Sequence, residues 1–534
     1  MIRKTAIFLI ALLFCVLCVR ALKADRWSDW DFGDAQTLLT LNQWRHRGAV
    51  ADKFLFAPQG YAPFIAALDS PELRHHAHGT SPKASIAGPR LLYTHYPPGY
   101  LLPLYAVYSC GIENPGFLRV LELLFSCAGL LFFYLAVEMF APPVAAFCSV
   151  AFYALSPSFL GFADSLANQP IDDLLRFLFM WLTLRAAKDG SKKTLYAAWL
   201  ASFALSLCSL DSVMFCFAWL VCADIIRSRT FDWKKYIVFA VAPLSAHGIA
   251  FLQNAWYLGL GGALADAHSA FAIRSLNQMS LAVKITNASA PYYFIWGKCV
   301  FAALLGGLVC LCGLVYKGEW ALLKAAAALL LCGSLFMIVL PSGGSLAYQS
   351  RQLMPFFALC FGICCAYAFS DGARAFFIPA LICFATLFCF SLHDLRDQFA
   401  VSQVRRDVNV SLASGLAAIK TTYDPAFFEI NAFSSYWDKN YIPGFPQIHP
   451  LMEYYAGKRL ILSFDLPQDI APDIKKIMAL STAKFSAVIV AGDAERLAAA
   501  LAGLRAANLL PANYKPQPFA LRHREIAVID FAGQ

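Results

Sequence analysis

The chain has 534 residues, of which 59% are hydrophobic and only 14% charged, and its formal net charge is +9. Soluble domains carry roughly 25% charged residues, so the composition excludes an ordinary soluble enzyme and indicates a polytopic α-helical membrane protein. The positive balance is what basic residues anchoring cytoplasmic loops produce, and it makes no case for nucleic acid as a partner.

Arg3 and Lys4 precede the apolar run Thr5 to Val19, which is long enough to begin a span. Arg20 and Lys23 stand where a signal peptide has small residues before its cleavage site, so an uncleaved first span starting in the cytoplasm is expected. Directly after it comes Asp29-Trp-Asp31-Phe-Gly-Asp34. Three carboxylates at a membrane boundary are costly unless solvated, paired or used, which makes them the first candidates for a site. Asp29 and Asp31 also have Arg26 within reach as an ion-pair partner.

Further spans are expected near Phe117 to Met139, Pro143 to Leu160, Ile171 to Ala187, Leu195 to Leu210, Ser212 to Ile226 and Tyr236 to Trp256. Tyr292 to Tyr316, Trp320 to Leu340, Leu353 to Phe369 and Phe376 to Leu392 follow. The total is about 11 transmembrane helices, within a range of about 11 to 13. The apolar, aromatic piece Pro97 to Cys110 is too short for a span and is opened by prolines. If it lies in the interface, the basic loops around Arg185 to Lys193 and Arg227 to Lys235 share the side of Arg3 and Lys4. An interfacial helix is therefore expected at the end of an outer loop running over 23–116.

That parity assigns four separated pieces to the outer face. They are the acidic cluster, the turn Asp164 to Asp173, a loop Leu260 to Ala290, and Ser342 to Arg351. Asp172 and Asp173 open a span, where acids favour the helix N-terminus, and Asp172 has Arg176 one turn on. Asp211, between two apolar runs, reads as a turn residue. Arg351 at the head of a span reads as an interfacial anchor, and Tyr96 and Tyr100 read as belt aromatics. The run Arg74-His-His-Ala-His78 lies in a proline-rich polar loop without further ligands at helical spacing, so no metal residues are assigned. The 17 cysteines fall mostly in apolar runs and read as small buried hydrophobes.

After about His393 the continuous apolar runs end. Arg459 to Phe464, Ala487 to Val490 and Ile526 to Asp530 read as strands, and Asp493 to Asn508 has helical periodicity. The expected organisation is a transmembrane domain over 1–392 and a small outer-face α/β domain over 393–534. The latter shows no phosphate-binding glycine loop and no clustered nucleophile and base.

Three segments carry a family resemblance. Asp34-Ala-Gln-Thr-Leu-Leu-Thr-Leu-Asn-Gln-Trp-Arg-His-Arg-Gly48 resembles an outer-loop acid followed by an amphipathic helix ending in glycine. Tyr93-Thr-His-Tyr-Pro-Pro-Gly-Tyr-Leu-Leu-Pro-Leu-Tyr105 is similar to an aromatic double-proline segment, and Tyr348-Gln-Ser-Arg-Gln-Leu-Met-Pro355 to a late arginine-to-proline segment. In this order, on one expected face, they resemble the GT-C glycosyltransferases, and among them the protein O-mannosyltransferases and the lipid A aminoarabinose transferase. Many relatives have Asp-Glu in the loop, whereas here Ala35 follows Asp34.

The resemblance implies transfer of a sugar from a polyprenyl-phosphate carrier to a hydroxyl of a lipid, protein or polysaccharide acceptor. It implies a base, for which Asp34 is the first candidate and Asp31 the second, and a phosphate clamp, for which Arg351 is the candidate. Tyr348, His95, Tyr96, Asp172 and Asp173 are the further substrate-side residues. The resemblance names no certain cofactor and leaves a divalent metal open, and it puts the enzyme in a bacterial inner membrane with its site and C-terminal domain outside. The alternative is a multi-span transporter or a lipid or glycan flippase, since intramembrane acids also mark ion pathways. Against it, the second half shows no repeat of the first.

Overall fold

The computed structural model describes residues 1–23, 27–28, 31–57, 92–94, 96–227, 233–275, 279–341, 347–368, 373–400, 412, 414–423, 425–430, 454, 460–464, 470–480, 484–510, 519–521 and 524–531. The helices in chain order are α1 (Ile2–Ala21), α2 (Asp31–Arg47), α3 (Leu101–Ser109), α4 (Pro115–Glu138), α5 (Pro143–Ala154) and α6 (Pro157–Leu160). They continue as α7 (Gln169–Asp189), α8 (Lys192–Cys208), α9 (Ser212–Ile226), α10 (Trp233–Ser275), α11 (Leu281–Trp296), α12 (Cys299–Lys317) and α13 (Trp320–Val339). A 3-10 turn at Ala347–Gln352 leads into α14 (Met354–Tyr367) and α15 (Arg374–Ala400).

The chain forms two compact units. The first comprises Met1–Trp30, Tyr96–Leu252 and Ala270–Ser402. It is a helical bundle in which α4 packs on α7, α5 on α14, α12 on α15, and α9 on α13. Its core is apolar and aromatic, with Phe133, Tyr153 and Phe177 in mutual ring contact. The outward positions are equally apolar, such as Phe8, Val19, Leu200 and Phe301. A bundle that is greasy inside and out is stable only in lipid. Five helices among the described residues, α1, α4, α10 (to Ala272), α12 and α13, are long and apolar enough to cross a bilayer. Shorter apolar helices include α5, α9, α14 and the Arg374–Phe390 part of α15. The protein is a polytopic α-helical membrane protein.

Three expectations need correction. The single span Pro143 to Leu160 is two helices, because Pro157 starts a new one and Ser156 caps it by accepting a bond from the Phe159 amide at 3.2 Å. The run Tyr292 to Tyr316 is broken at Gly297, whose φ of 55° ends α11 before α12 begins. The loop expected over Leu260 to Ala290 is largely helical, with α10 continuing to Ser275 past a non-helical Gly259 and α11 beginning at Leu281. The short segment opened by Pro97 and Pro98 is helical as expected, a 3-10 turn at Pro98–Tyr100 followed by α3. Among the cysteines, Cys15, Cys110, Cys312 and Cys389 are exposed rather than buried.

The second unit comprises Asp31–His95, Gln253–Ser269 and Gln403–Gln534. Among the described residues, its C-terminal part is a five-stranded sheet of β1 (Pro425–Ile430), β2 (Leu460–Phe464), β3 (Phe485–Ala491), β4 (Phe519–Leu521) and β5 (Arg524–Phe531), in the order β2-β1-β3-β5-β4. β1 pairs in parallel with β2 and β3, while β3 and β4 pair antiparallel with β5. The helices α16 (Ile470–Leu480) and α17 (Ala494–Ala506) complete it. The central strand β3 is buried along its length, which is why Phe-Ser-Ala-Val-Ile-Val-Ala is nearly all apolar. Asp493 caps α17 by accepting from the Arg496 amide at 2.8 Å.

Candidate active site

In the helical bundle the polar chemistry gathers where α7 begins. Pro170 sits in the first turn with Asp172, whose charge the helix dipole favours, and Asp173 follows it. Successive helical residues point about 100° apart, so the two carboxylates meet different partners. Asp172 Oδ2 lies 2.7 Å from Arg176 Nη2, one turn along the same helix. Asp173 Oδ1 lies 2.7 Å from Arg351 Nη1, and its Oδ2 accepts from the Tyr153 hydroxyl at 3.0 Å.

Arg351 is presented by the 3-10 turn before α14. Its Nε donates to the Tyr348 carbonyl at 3.2 Å and its Nη1 to the Gln169 carbonyl at 2.8 Å. Nη2 stands 3.7 Å from Asp172 Oδ2, beyond hydrogen-bond range. The guanidinium is 4% exposed. Burial works against its charge, but Asp173 and Asp172 outweigh that and hold it above the ordinary arginine range. The turn is held from several sides. Ser350 and Ser158 share a hydroxyl bond of 2.8 Å, and the Tyr292 hydroxyl donates to the Gln349 carbonyl at 3.3 Å. On α13, Gly333 faces the turn so closely that a Cβ would run into the Gln352 carbonyl oxygen.

A second guanidinium completes the cluster. Arg176 Nη2 also reaches Asp211 Oδ2 at 3.0 Å, its Nη1 donates to Gln352 Oε1, and its plane lies over the Phe215 ring, 4.9 Å from the centroid. Gln352 Nε2 donates to Asp211 Oδ2 at 2.5 Å and to Gln349 Oε1 at 3.1 Å. Three carboxylates, Asp172, Asp173 and Asp211, thus share two guanidiniums, all buried. Asp172 Oδ1 has no hydrogen-bond partner among the described residues. Nearby, Tyr96 accepts from Asn168 Nδ2 at 3.1 Å, and burial, reinforced by Tyr348, Asp211 and Asp172, pushes its phenol well above the ordinary tyrosine range. Elsewhere in the bundle, Asp164 is bound by Arg20 at 2.7 Å with both side chains buried, which gives Asp164 a structural partner.

The other candidate acid belongs to the second unit. Helix α2 starts at Asp31 and ends before Gly48, whose φ of 86° places it in the left-handed region that terminates helices. Asp34, in the first turn of α2, is 0% exposed, and that end of a helix favours negative charge. The remainder of α2 is pinned by the loop beyond it. Thr40 Oγ1 donates to the Ala57 carbonyl at 3.0 Å, Gln43 to Asp52 at 2.8 Å, and the Trp44 indole to the Leu55 carbonyl at 3.1 Å. Phe56 pairs with Tyr93 across a β-bridge. The strand of Tyr93 is fastened to α10 by Thr94 on Asp266 at 2.6 Å and by Asn254 on the Thr94 carbonyl at 2.8 Å.

Of the residues expected from sequence, Tyr96, Asp172, Asp173, Tyr348 and Arg351 lie in the bundle, and Asp172, Asp173 and Arg351 are in one ion-pair network. Asp34 lies in the second unit. Asp29, His95, the Arg74 to His78 run and the side chain of Asp31 fall outside the described residues. Asp211 and Gln352 were not anticipated as members of the network. The available signal was an acid between two apolar runs on the same expected side as Asp172.

No protein-family model and no curated protein matches the sequence. Among solved structures, the chain is similar to the apo oligosaccharyltransferase of Archaeoglobus fulgidus at 11% identity and a TM-score of 0.48, over 91% of this chain and 69% of that one. The same organism's AglB, in complex with an inhibitory peptide and a dolichol-phosphate, gives 11% identity and 0.44 over the same shares. ArnT from Cupriavidus metallidurans, bound to undecaprenyl phosphate, gives 11% identity and 0.48 over 97% of each chain.

Proposed function

We propose that the protein is a membrane glycosyltransferase that moves a sugar from a polyprenyl-phosphate carrier to a hydroxyl acceptor on the outer face of a bacterial inner membrane. The observation that carries this reading is Arg351. Its guanidinium is oriented by two backbone carbonyls and Asp173, while Nη2 makes no hydrogen bond among the described residues. A fixed guanidinium with a donor to spare suits a lipid phosphate, through charge-assisted bonds.

In the reaction, Asp34 takes the proton of the acceptor hydroxyl as its oxygen attacks the anomeric carbon. The bond from that carbon to the phosphate oxygen breaks with inversion, and the electron pair leaves on polyprenyl phosphate, whose charge Arg351 stabilises. General-base catalysis of this kind contributes about 10²- to 10⁴-fold. Asp31 is the second candidate for the base. Tyr348, His95, Tyr96, Asp172 and Asp173 complete the substrate side. Residues 1–392 carry the catalysis, and the domain over 393–534 carries none.

The test is incubation of purified protein with labelled polyprenyl-phosphate sugars and candidate lipid, peptide and polysaccharide acceptors. Asp34→Asn is expected to lower turnover by about 10²- to 10⁴-fold while donor binding persists. Unchanged turnover removes Asp34 as the base. If no donor releases polyprenyl phosphate and liposomes show lipid or solute movement instead, the transporter reading stands.

A further inference from the structure

Asp211 occupies the N-cap position of α9, where an aspartate ordinarily accepts a bond from the amide two or three residues on. Here its side chain makes no capping bond. Both oxygens turn elsewhere. Oδ2 receives Arg176 Nη2 at 3.0 Å and Gln352 Nε2 at 2.5 Å, and Oδ1 receives the Ser209 hydroxyl. The carboxylate is 5% exposed. It therefore forgoes the local partner and spends its hydrogen-bonding capacity on two other elements, α7 through Arg176 and the Arg351 turn through Gln352.

Gln352 is the next residue after Arg351, and its side chain bonds to other partners than the Asp173 carboxylate that Arg351 meets. Its amide nitrogen is shared between Asp211 and Gln349, and its amide oxygen is taken by Arg176. The 3-10 turn is thereby tied from Gln349 to Gln352 and fastened to α7 and α9 at once. Short 3-10 turns have poorer internal hydrogen-bond geometry than α-helices, so such a turn depends on outside bonds to keep one conformation. Asp211 accepts from both Arg176 and Gln352, and makes no contact with Arg351 itself.

We infer that Asp211 is a positioning residue for Arg351, holding the Ala347–Gln352 turn in the conformation that binds the donor phosphate. The inference rests on the phosphate reading of Arg351 for its functional end, and on geometry alone for the turn. Asp211→Asn keeps the size of the side chain. It removes the charge that binds Arg176 and puts an amide nitrogen in place of one carboxylate oxygen.

The test uses full-length protein in lipid nanodiscs, with Asp211→Asn, the milder Ser209→Ala that removes only the bond to Oδ1, and wild type. Amide hydrogen exchange over 348–353 is expected to quicken by about tenfold or more in Asp211→Asn and by less in Ser209→Ala. With a labelled polyprenyl-phosphate sugar, KM is expected to rise about tenfold with kcat within about twofold, the pattern of lost ground-state binding. Unchanged exchange over 348–353 in Asp211→Asn overturns the inference, as does a fall in kcat at constant KM. If exchange quickens while donor KM moves neither here nor on replacement of Arg351, the phosphate reading fails and the hold of Asp211 on the turn stands.

Discussion

Replacing Arg351 tests the network at its most consequential point. Arg351→Met removes the partner 2.7 Å from Asp173 and leaves that buried carboxylate with the Tyr153 hydroxyl. Stranding one member of a buried ion pair costs about 3–5 kcal/mol. Adding Asp173→Asn removes the stranded charge, so the double variant is expected to be more stable than Arg351→Met alone, by about 2 kcal/mol. Its remaining loss comes from the carbonyls of Gln169 and Tyr348, which forfeit their donors at about 1–3 kcal/mol for each group left unsatisfied. Ligand binding is then separable from folding. A hydrogen bond to a charged group contributes about 1.5–3 kcal/mol, so losing one to a phosphate weakens binding roughly 10- to 150-fold. Thermal unfolding in nanodiscs reads the first quantity, and titration with undecaprenyl phosphate followed by native mass spectrometry reads the second. A double variant that folds like wild type and binds the phosphate lipid with unchanged affinity would refute the reasoning.

Arg20→Met is expected to destabilise the bundle by about 1.5–3 kcal/mol through loss of the 2.7 Å charge-assisted bond to buried Asp164, read by thermal unfolding. Gly333→Ala is expected to cost about 1–3 kcal/mol, because its Cβ collides with backbone at Gln352 rather than with a flexible side-chain end. Gly248→Ala in α10, where a Cβ meets nothing within 4 Å, is the control and should gain about 0.5–1 kcal/mol. Equal melting temperatures for the two glycine variants would show that the turn against α13 gives way freely.

Local chemistry was legible in the chain. Apolar runs marked the helices, Gly48 the end of α2, and short apolar stretches the strands β2, β3 and β5, because each follows from the periodicity and conformational freedom of nearby residues. The pairing of Asp172 with Arg176 was readable for the same reason, since residues one turn apart share a helix face. Where a glycine or proline can be either tolerated or disruptive, the local sequence does not decide which. The helix passes the glycines after Leu258 with one non-helical residue, yet Pro157 and Gly297 break runs that read as continuous.

The sequence by itself determined the solvent, the helical class and the candidate acids. A chain that is 59% hydrophobic and 14% charged has no other environment in which to bury its surface, and its few charged residues stand out against that background. Only the tertiary structure decided which charges belong together. Arg176, Asp211 and Gln352 lie on separate elements, 35 to 176 residues apart in the chain. Their association depends on how α7, α9 and the 3-10 turn pack, and no local pattern encodes that. Asp211 shows the difference most directly: in sequence it stands at the start of a helix, where capping is the ordinary role, and in the fold it has two distant donors to satisfy instead.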